Sequence, residues 1–275
     1  MFGQRSGNKI DKAVFSGPLE NHLLEGLPND PLISLSDPVS PVVEQYRRLF
    51  SRIDNACKEE AKRVIAVTSS VAGEGKTTTI SNLALIAARD FGKKVLLIDA
   101  HFRNPMVANY FNLKPGPGLF DVMMHQAKLE NVFVPGGHPN LTLMPAGQIP
   151  PGGKVHLVFE QFKEILLAVR NQYHTIRWED ALEDFHQTGQ QEAGLFDYVL
   201  VDAPPVIPMS QIYPIAEAVD GIVFVVSAGV ASKQTILQAT KVLNLSKIIC
   251  AVLNRSHAWP LQYPEDMYYG YYSGS

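Results

Sequence analysis

The stretch 63–79, RVIAVTSSVAGEGKTTT, constrains this chain more than any other part of the sequence. Its first half is almost wholly apolar, which is typical of a buried β-strand, and its second half is a loop with two glycines. Apolar residues then recur at helical spacing, at Ile80, Leu83, Ala84 and Ala87. A glycine-bearing loop and the helix after it direct backbone N–H groups and the positive helix end toward one point, so the stretch predicts an anion site.

The end of this loop, Gly75-Lys76-Thr77, indicates that the anion is the phosphate of a nucleotide. In the pattern G-x-x-x-x-G-K-[ST], the lysine reaches the β- and γ-phosphates and the hydroxyl binds Mg²⁺. This chain has Ser70 where the pattern has its first glycine. An ordinary strand–turn–helix connection is the alternative, but the flanking strand and helix favour a phosphate loop. We therefore predict nucleotide-binding residues in the loop and the first helical turn: Ala72, Gly73, Glu74, Gly75, Lys76, Thr77 and Thr78.

Further apolar segments predict the rest of the fold. Segments with strand character are 93–99, 141–145, 196–202, 221–227 and 247–254. Helical patterns lie between most of them, notably over 154–173 and 231–243, and Ser40-Pro41 is typical of the start of an earlier helix. Apolar strands that alternate with helices indicate a mostly parallel sheet with helices on both faces. We predict an α/β fold of the P-loop NTPase kind.

The segments without this pattern suggest how the chain is divided. Residues 1–39 are polar, with scattered glycine and proline, and we expect a flexible arm there. Residues 40–260 would form one domain with a polar insertion near 171–194, and residues 261–275 would form a tyrosine-rich tail. A length of 275 residues fits one α/β domain with extensions better than two domains.

Composition narrows the possible partners. The 24 Lys+Arg residues nearly balance the 27 Asp+Glu residues, which argues against nucleic-acid binding. The two cysteines have no metal-ligand spacing and favour a reducing compartment. The start lacks the apolar core of a signal peptide, and no apolar run approaches the roughly 18–20 residues that span a bilayer. We expect a cytoplasmic protein whose membrane role, if any, requires a partner.

Polar side chains end three of the predicted strands, at Asp99, Asp202 and Asn254. The carboxyl ends of parallel strands form the edge at which such sheets bind ligands. Asp202 follows four apolar residues, as expected of a carboxylate that supports Mg²⁺ beside a nucleotide. Asp99 could accept a proton from an attacking hydroxyl, and Arg103 could offset phosphate charge. Strand-end aspartates that only form turns are the alternative, which the phosphate loop disfavours.

These residues give two predicted sets. The catalytic set is Lys76, Asp99, Arg103 and Asp202. The metal set is Thr77, Asp99 and Asp202.

The ordered motifs resemble those of the cytoplasmic bacterial tyrosine autokinases of exopolysaccharide and capsule synthesis. The resemblance runs from about Ser40 to the C-terminus. It rests on SSVAGEGKTTT (69–79), VLLIDAHFRNP (95–105), PGPGLFDVM (115–123), LTLMPAGQIPPG (141–152), FDYVLVDAPPV (196–206), VDGIVFVV (219–226) and AVLNR (251–255).

This resemblance implies ATP and Mg²⁺ as cofactors and gives roles to the predicted residues. Lys76 would bind phosphate, and Asp99 would be the base or orienting carboxylate for a tyrosine hydroxyl. Asn254, with Arg255 beside it, would contact the adenine. The chain departs from the family pattern D-x-D-x-R, because His101 stands where the second Asp belongs.

The resemblance also implies partners. The family's oligomerisation motif E-x-x-R-x-x-R is present through Glu44 and Arg47, with Phe50 at the second Arg position, so we expect a homo-oligomer such as a ring. A separate transmembrane activator, the polysaccharide co-polymerase, would recruit the chain to the inner face of the membrane. A protein-tyrosine phosphatase would reverse the modification.

The tail adds a cluster of candidate phosphate acceptors. Its tyrosines are Tyr263, Tyr268, Tyr269, Tyr271 and Tyr272. A disordered end, or aromatic rings docked on a neighbour, is the alternative. Each phosphate adds roughly −1.5 to −2 charges, which would expel a modified tail from an acidic site. We predict that these tyrosines accept phosphate from neighbouring subunits.

Two other functions stay open at this point. A partitioning or septum-placement ATPase shares the fold, but it carries a signature lysine five residues before the phosphate-loop lysine, where this chain has Val71. The third hypothesis is a nucleotide-binding scaffold of polysaccharide assembly that has lost phosphotransfer. The observation that suggests it is His101 in place of the second Asp.

Overall fold

A seven-stranded sheet forms the centre of the protein, seen in a computed structural model that describes residues 31–60, 63–150, 159–171, 196–208 and 210–256. The strand order is β3-β4-β2-β5-β1-β6-β7. The strands are β1 Val64–Ser69, β2 Val95–Asp99, β3 Val134–Pro135, β4 Leu141–Met144, β5 Tyr198–Asp202, β6 Gly221–Ser227 and β7 Ile248–Asn254. All neighbours are parallel except the β3–β4 pair. The predicted mostly parallel sheet is confirmed, and β3 was not predicted because two residues show no alternation.

The helices also follow the prediction where they are long. They are α1 Ile33–Ser36, α2 Pro41–Glu60, α3 Lys76–Arg89, α4 Val107–Tyr110, α5 Leu119–Met123, α6 Phe159–Asn171, α7 Ile212–Ala218 and α8 Lys233–Val242. Short 3₁₀ turns occur at Leu129–Val132 and Leu245–Lys247. Helices α1, α4, α5 and α7 escaped prediction because four to seven residues give too few turns for a period to show. Within the described ranges, no helix is both long and apolar enough to cross a membrane.

Both faces of the strands β1, β2, β5 and β6 are buried under helices. In β5, Val199 and Val201 point into one core with α5, α6, α7 and α8, whereas Tyr198 and Leu200 point into the other core with α2 and α3. The alternation of side chains along a strand explains how one apolar run serves both cores.

The last residues of the predicted arm belong to the folded domain, which corrects the boundary at residue 39. Leu32 is 1% exposed, and the Ser34 N–H donates to Asn82 Oδ1 at 3.0 Å. Asn82 Nδ2 in turn donates to the carbonyl of Pro31 at 2.6 Å. Residues 31–36 therefore pack on α3, the helix that follows the phosphate loop. Residues 1–30, most of the predicted insertion and the predicted tail lie outside the described residues.

Helix α2 carries the predicted oligomerisation residues. Phe50 lies in the core, edge-to-face with the rings of Phe91 and Tyr198 at centroid distances of 4.7 and 5.4 Å. An arginine would have no room for hydration there, which accounts for the aromatic residue at this position. Arg47 contacts Asp90 at 2.7 Å and Glu44 at 3.4 Å, so it links α2 to the end of α3. A role of Glu44 and Arg47 between subunits stays a prediction.

Candidate nucleotide and phosphotransfer site

The loop between β1 and α3 has the backbone that a phosphate site requires. Gly73 and Gly75 adopt φ of +84° and +88°, backbone angles that residues with a Cβ rarely adopt. A Cβ on Gly75 would also lie 2.1 Å from Asn254 Nδ2. Gly75 is the N-cap of α3 and supplies no side-chain cap, so the first N–H groups of that helix are available to an anion.

The metal residues predicted from the loop and from β5 meet in the fold. Thr77 Oγ1 donates to Asp202 Oδ2 at 2.6 Å. Asp202 is fully buried, and its other oxygen, Oδ1, has no hydrogen-bond partner among the described residues. A buried carboxylate oxygen without a donor is a position that a hydrated cation would satisfy. Thr77 and Asp202 therefore fit Mg²⁺.

Asp99 lies beside Asp202 because β2 and β5 are neighbours and the two residues are register partners. Its Oδ1 accepts the N–H of His101 at 3.0 Å, and its Oδ2 accepts those of Met106 and Val107 at 3.1 and 3.0 Å. Two donors occupy Oδ2, whereas Oδ1 with one donor keeps a lone pair. The start of α4 thus fixes this carboxylate and leaves Oδ1 as the atom able to accept a proton or bind a cation.

Burial governs the charges in the site. It raises the pKa of Asp99 to about 6 and, together with the nearby Asp99 carboxylate, raises the pKa of Asp202 to about 7. Burial also lowers the pKa of Lys76, although all three carboxylates around it (Asp202, Glu74 and Asp99) oppose that shift. Burial and the charge of Lys76 lower the pKa of His101 to about 4, so its imidazole is neutral at pH 7. The strand-end carboxylates are thus destabilised in their ionised form, which a bound cation would relieve.

The other predicted residues differ in their exposure and in their contacts. Arg103 is exposed in the turn after β2. Asn254 ends β7, and its Nδ2 donates to the carbonyl of Glu74 at 3.0 Å, so it meets the phosphate loop. Arg255 is exposed, and its N–H donates to Asn254 Oδ1 at 2.9 Å. The predicted acceptor tyrosines 263–272 fall outside the described residues.

Two contacts at the site were not found from the sequence. Tyr110 on α4 places its hydroxyl 3.2 Å from Thr78 Oγ1, so the helix that holds Asp99 also touches the phosphate-loop helix. The Glu74 side chain, predicted only as part of the loop, is completely buried. The spacing of Ser70 and Glu74, four residues apart within the loop, was the available signal, since Ser70 Oγ donates to Glu74 Oε2 at 2.7 Å.

The chain is similar to bacterial tyrosine kinases in sequence and fold. It is 29% identical over 225 residues to the tyrosine-protein kinase YwqD of Bacillus subtilis (strain 168), an alignment of 81% of this chain and 85% of that protein. Its fold is similar to the kinase domain of the Escherichia coli tyrosine kinase ETK, with a TM-score of 0.67 and 22% identity over 85% of each chain. These similarities confirm the resemblance and the fold predicted from the motifs.

A second structural similarity lies outside the tyrosine kinases. The MinD cell division protein of Aquifex aeolicus has a TM-score of 0.52 and 26% identity over 70% of each chain. The AAA domain family matches residues 62–249, which include the phosphate loop and both strand-end carboxylates. This chain therefore belongs to the AAA domain family.

Proposed function

We propose that the chain is an ATP-dependent protein-tyrosine kinase that phosphorylates its own C-terminal tyrosine cluster in trans and acts in exopolysaccharide or capsule synthesis. The observation that carries this proposal is the Lys76, Thr77, Asp99 and Asp202 constellation on one sheet edge, in a chain similar to named tyrosine-protein kinases. A partitioning-type ATPase would have the same kind of strand-end carboxylates. Val71, however, occupies the position of that class's signature lysine.

The described residues support phosphotransfer by positioning and charge stabilisation. Lys76 would bind the β- and γ-phosphates, and the N–H groups of the loop would hold them. Thr77, Asp99 and Asp202 would hold Mg²⁺, which when bound neutralises phosphate charge. Asp99 Oδ1 has a lone pair left to accept the proton of an incoming tyrosine hydroxyl, while its Oδ2 is held by two backbone N–H groups.

Partners follow from the same proposal. Acceptor tyrosines in a neighbouring subunit require a homo-oligomer, for which the half-buried Glu44 and Arg47 of α2 are the candidates. A transmembrane activator would bring the cytoplasmic kinase to the inner face of the membrane, and a phosphatase would reset it.

The central experiment is intact-mass spectrometry with peptide mapping after incubation with ATP and Mg²⁺. We expect phosphates on Tyr263, Tyr268, Tyr269, Tyr271 and Tyr272, because these clustered hydroxyls are the proposed phosphate acceptors for the site of a neighbouring subunit. A variant with these residues changed to Phe should keep nucleotide binding and lose the added mass. The membrane activator should be added where it is known. ATP hydrolysis without tyrosine phosphate, activator included, would favour the partitioning-type ATPase, and binding alone would favour the scaffold.

The His101→Asp variant tests the departure at the end of β2. His101 is buried and neutral, so the wild-type site has one negative charge fewer than the pattern D-x-D-x-R provides. We expect the variant to phosphorylate faster and to reach half-maximal rate at a lower Mg²⁺ concentration. His101→Asn is the matched control, because it changes size in the same way without adding charge. An unchanged or lower rate in His101→Asp would mean that the imidazole has its own role.

A further inference from the structure

Glu74 occupies an unusual place for an acidic residue in a loop that receives phosphates. Its side chain is 0% exposed, and its carboxylate accepts three hydrogen bonds within the protein. Oε2 accepts the hydroxyl of Ser70 at 2.7 Å and the N–H of Val71 at 2.9 Å, both from its own loop. Oε1 accepts the N–H of Ser227 at 3.1 Å, from the end of β6. The carboxylate thus joins the two sides of the loop and ties both to the sheet.

The backbone of Glu74 is held as well. Its carbonyl accepts Asn254 Nδ2 at 3.0 Å, and Asn254 ends β7. Ser227 and Asn254 are register partners, and the N–H of Ala228 donates to the carbonyl of Asn254 at 2.9 Å. Glu74 therefore accepts hydrogen bonds at its side chain from the end of β6 and at its carbonyl from the end of β7.

We propose that Glu74 and Asn254 are positioning residues of the phosphate loop, which fix its backbone in the conformation that binds the phosphate chain. Gly73 and Gly75 flank Glu74 with positive φ, so the loop backbone by itself has wide conformational freedom there. The hydrogen bonds to Glu74 restrict that freedom. Asn254 then contributes to phosphate binding as well as to any contact with the base. This inference rests on the proposed function only in that the site binds a nucleotide.

The hydrogen bonds to the Glu74 side chain require a carboxylate. Backbone N–H groups face both oxygens of Glu74, from Val71 on one side and from Ser227 on the other. In a Glu74→Gln variant, the amide NH₂ must meet one of these N–H donors in either orientation, so one donor loses its partner in a buried place. Ser70 also fits this scheme, since the glycine of the strict pattern could not donate to Glu74.

The test is calorimetric titration of the protein with Mg²⁺–ADP and, separately, with Mg²⁺–tripolyphosphate, which has no base. For Glu74→Gln we expect at least a tenfold loss of affinity for both ligands, because both bind through the loop. Ser70→Ala, which removes only one donor, should give a smaller loss for both. Asp121→Asn is the matched control, because it also turns a buried carboxylate into an amide. Asp121 lies in α5, where its Oδ2 accepts the N–H groups of Gly118 and Gln148, and the affinities of this variant should stay within twofold of wild type.

Asn254→Ala separates the two possible roles of Asn254. A loss of tripolyphosphate affinity of about fivefold or more supports the positioning role. A loss for Mg²⁺–ADP alone would mean that Asn254 contacts only the base and would overturn that half of the proposal. Glu74→Gln affinities within twofold of wild type, in a variant with an unchanged melting temperature, would overturn the other half. If wild-type protein binds neither ligand, the proposed function fails instead, so the two failures are distinct.

Discussion

Replacing Lys76 with methionine is expected to reduce the rate of tyrosine phosphorylation by about 10²- to 10³-fold, the scale on which an electrostatic contact to the transition state acts in a buried site. Lys76 is 4% exposed, and its charge interacts with those of Asp202, Glu74 and Asp99. A phosphate chain bound in the loop would therefore meet a buried ammonium. Methionine keeps the length and apolar stem of the side chain but cannot neutralise the phosphate charge. Phosphate incorporation from labelled ATP, followed over time at saturating Mg²⁺, gives the rate.

The control for this variant is a lysine with a structural task elsewhere. Lys247 Nζ donates to the carbonyls of Ala216, Glu217 and Val219 at 3.0, 2.7 and 2.9 Å, at the end of α7. Lys247→Met should lower the melting temperature and leave the phosphorylation rate of the folded protein close to wild type. Equal losses of rate in both variants would show that Lys76 acts through stability, contrary to the proposed role.

Replacing Asp202 with asparagine is expected to make the nucleotide-free protein more stable above neutral pH while it removes activity. Burial and Asp99 raise the pKa of Asp202 to about 7, so between about pH 4 and 7 the folded state holds a proton that the unfolded state has released. The free energy of unfolding therefore falls as the pH rises through this window. An asparagine does not titrate, and its carbonyl can still accept from Thr77 Oγ1.

The expected size of this effect is on the order of a few kcal/mol at pH 8, since one pKa unit corresponds to about 1.4 kcal/mol. Urea unfolding of wild type and Asp202→Asn from pH 5 to 8, without Mg²⁺ or nucleotide, measures it directly. The difference in the free energy of unfolding should grow with pH in favour of the variant. Added Mg²⁺ should stabilise the wild-type protein but not the variant. A difference that does not change with pH would mean that Asp202 is ionised throughout and needs no cation.

Local patterns were sufficient for the framework of the site. The phosphate loop, the strand that ends at Asp202 and the helix α2 were all predicted, because the period of the apolar residues and the turn residues are written within ten or twenty consecutive positions. The boundary of the arm at residue 39 was wrong for the opposite reason. Leu32 and Ile33 form too short an apolar group to reveal that they pack on α3.

The surroundings of individual side chains depended on tertiary contacts. Phe50 departs from the oligomerisation pattern, and only its packing against Phe91 and Tyr198 explains the departure. Asp99 was predicted as an active carboxylate. Only the folded chain shows that the start of α4 holds one of its oxygens.

The sequence by itself determined that a glycine-bearing loop with Lys76 follows a buried strand and that acidic residues end two further strands. The tertiary structure alone decided what holds the loop. Glu74 meets Ser227 across 153 positions and Asn254 across 180, because β6 and β7 follow β1 in the sheet order β5-β1-β6-β7. Residue spacing along a chain records helices and strands, whereas the neighbours of a strand end are chosen by the packing of the whole sheet.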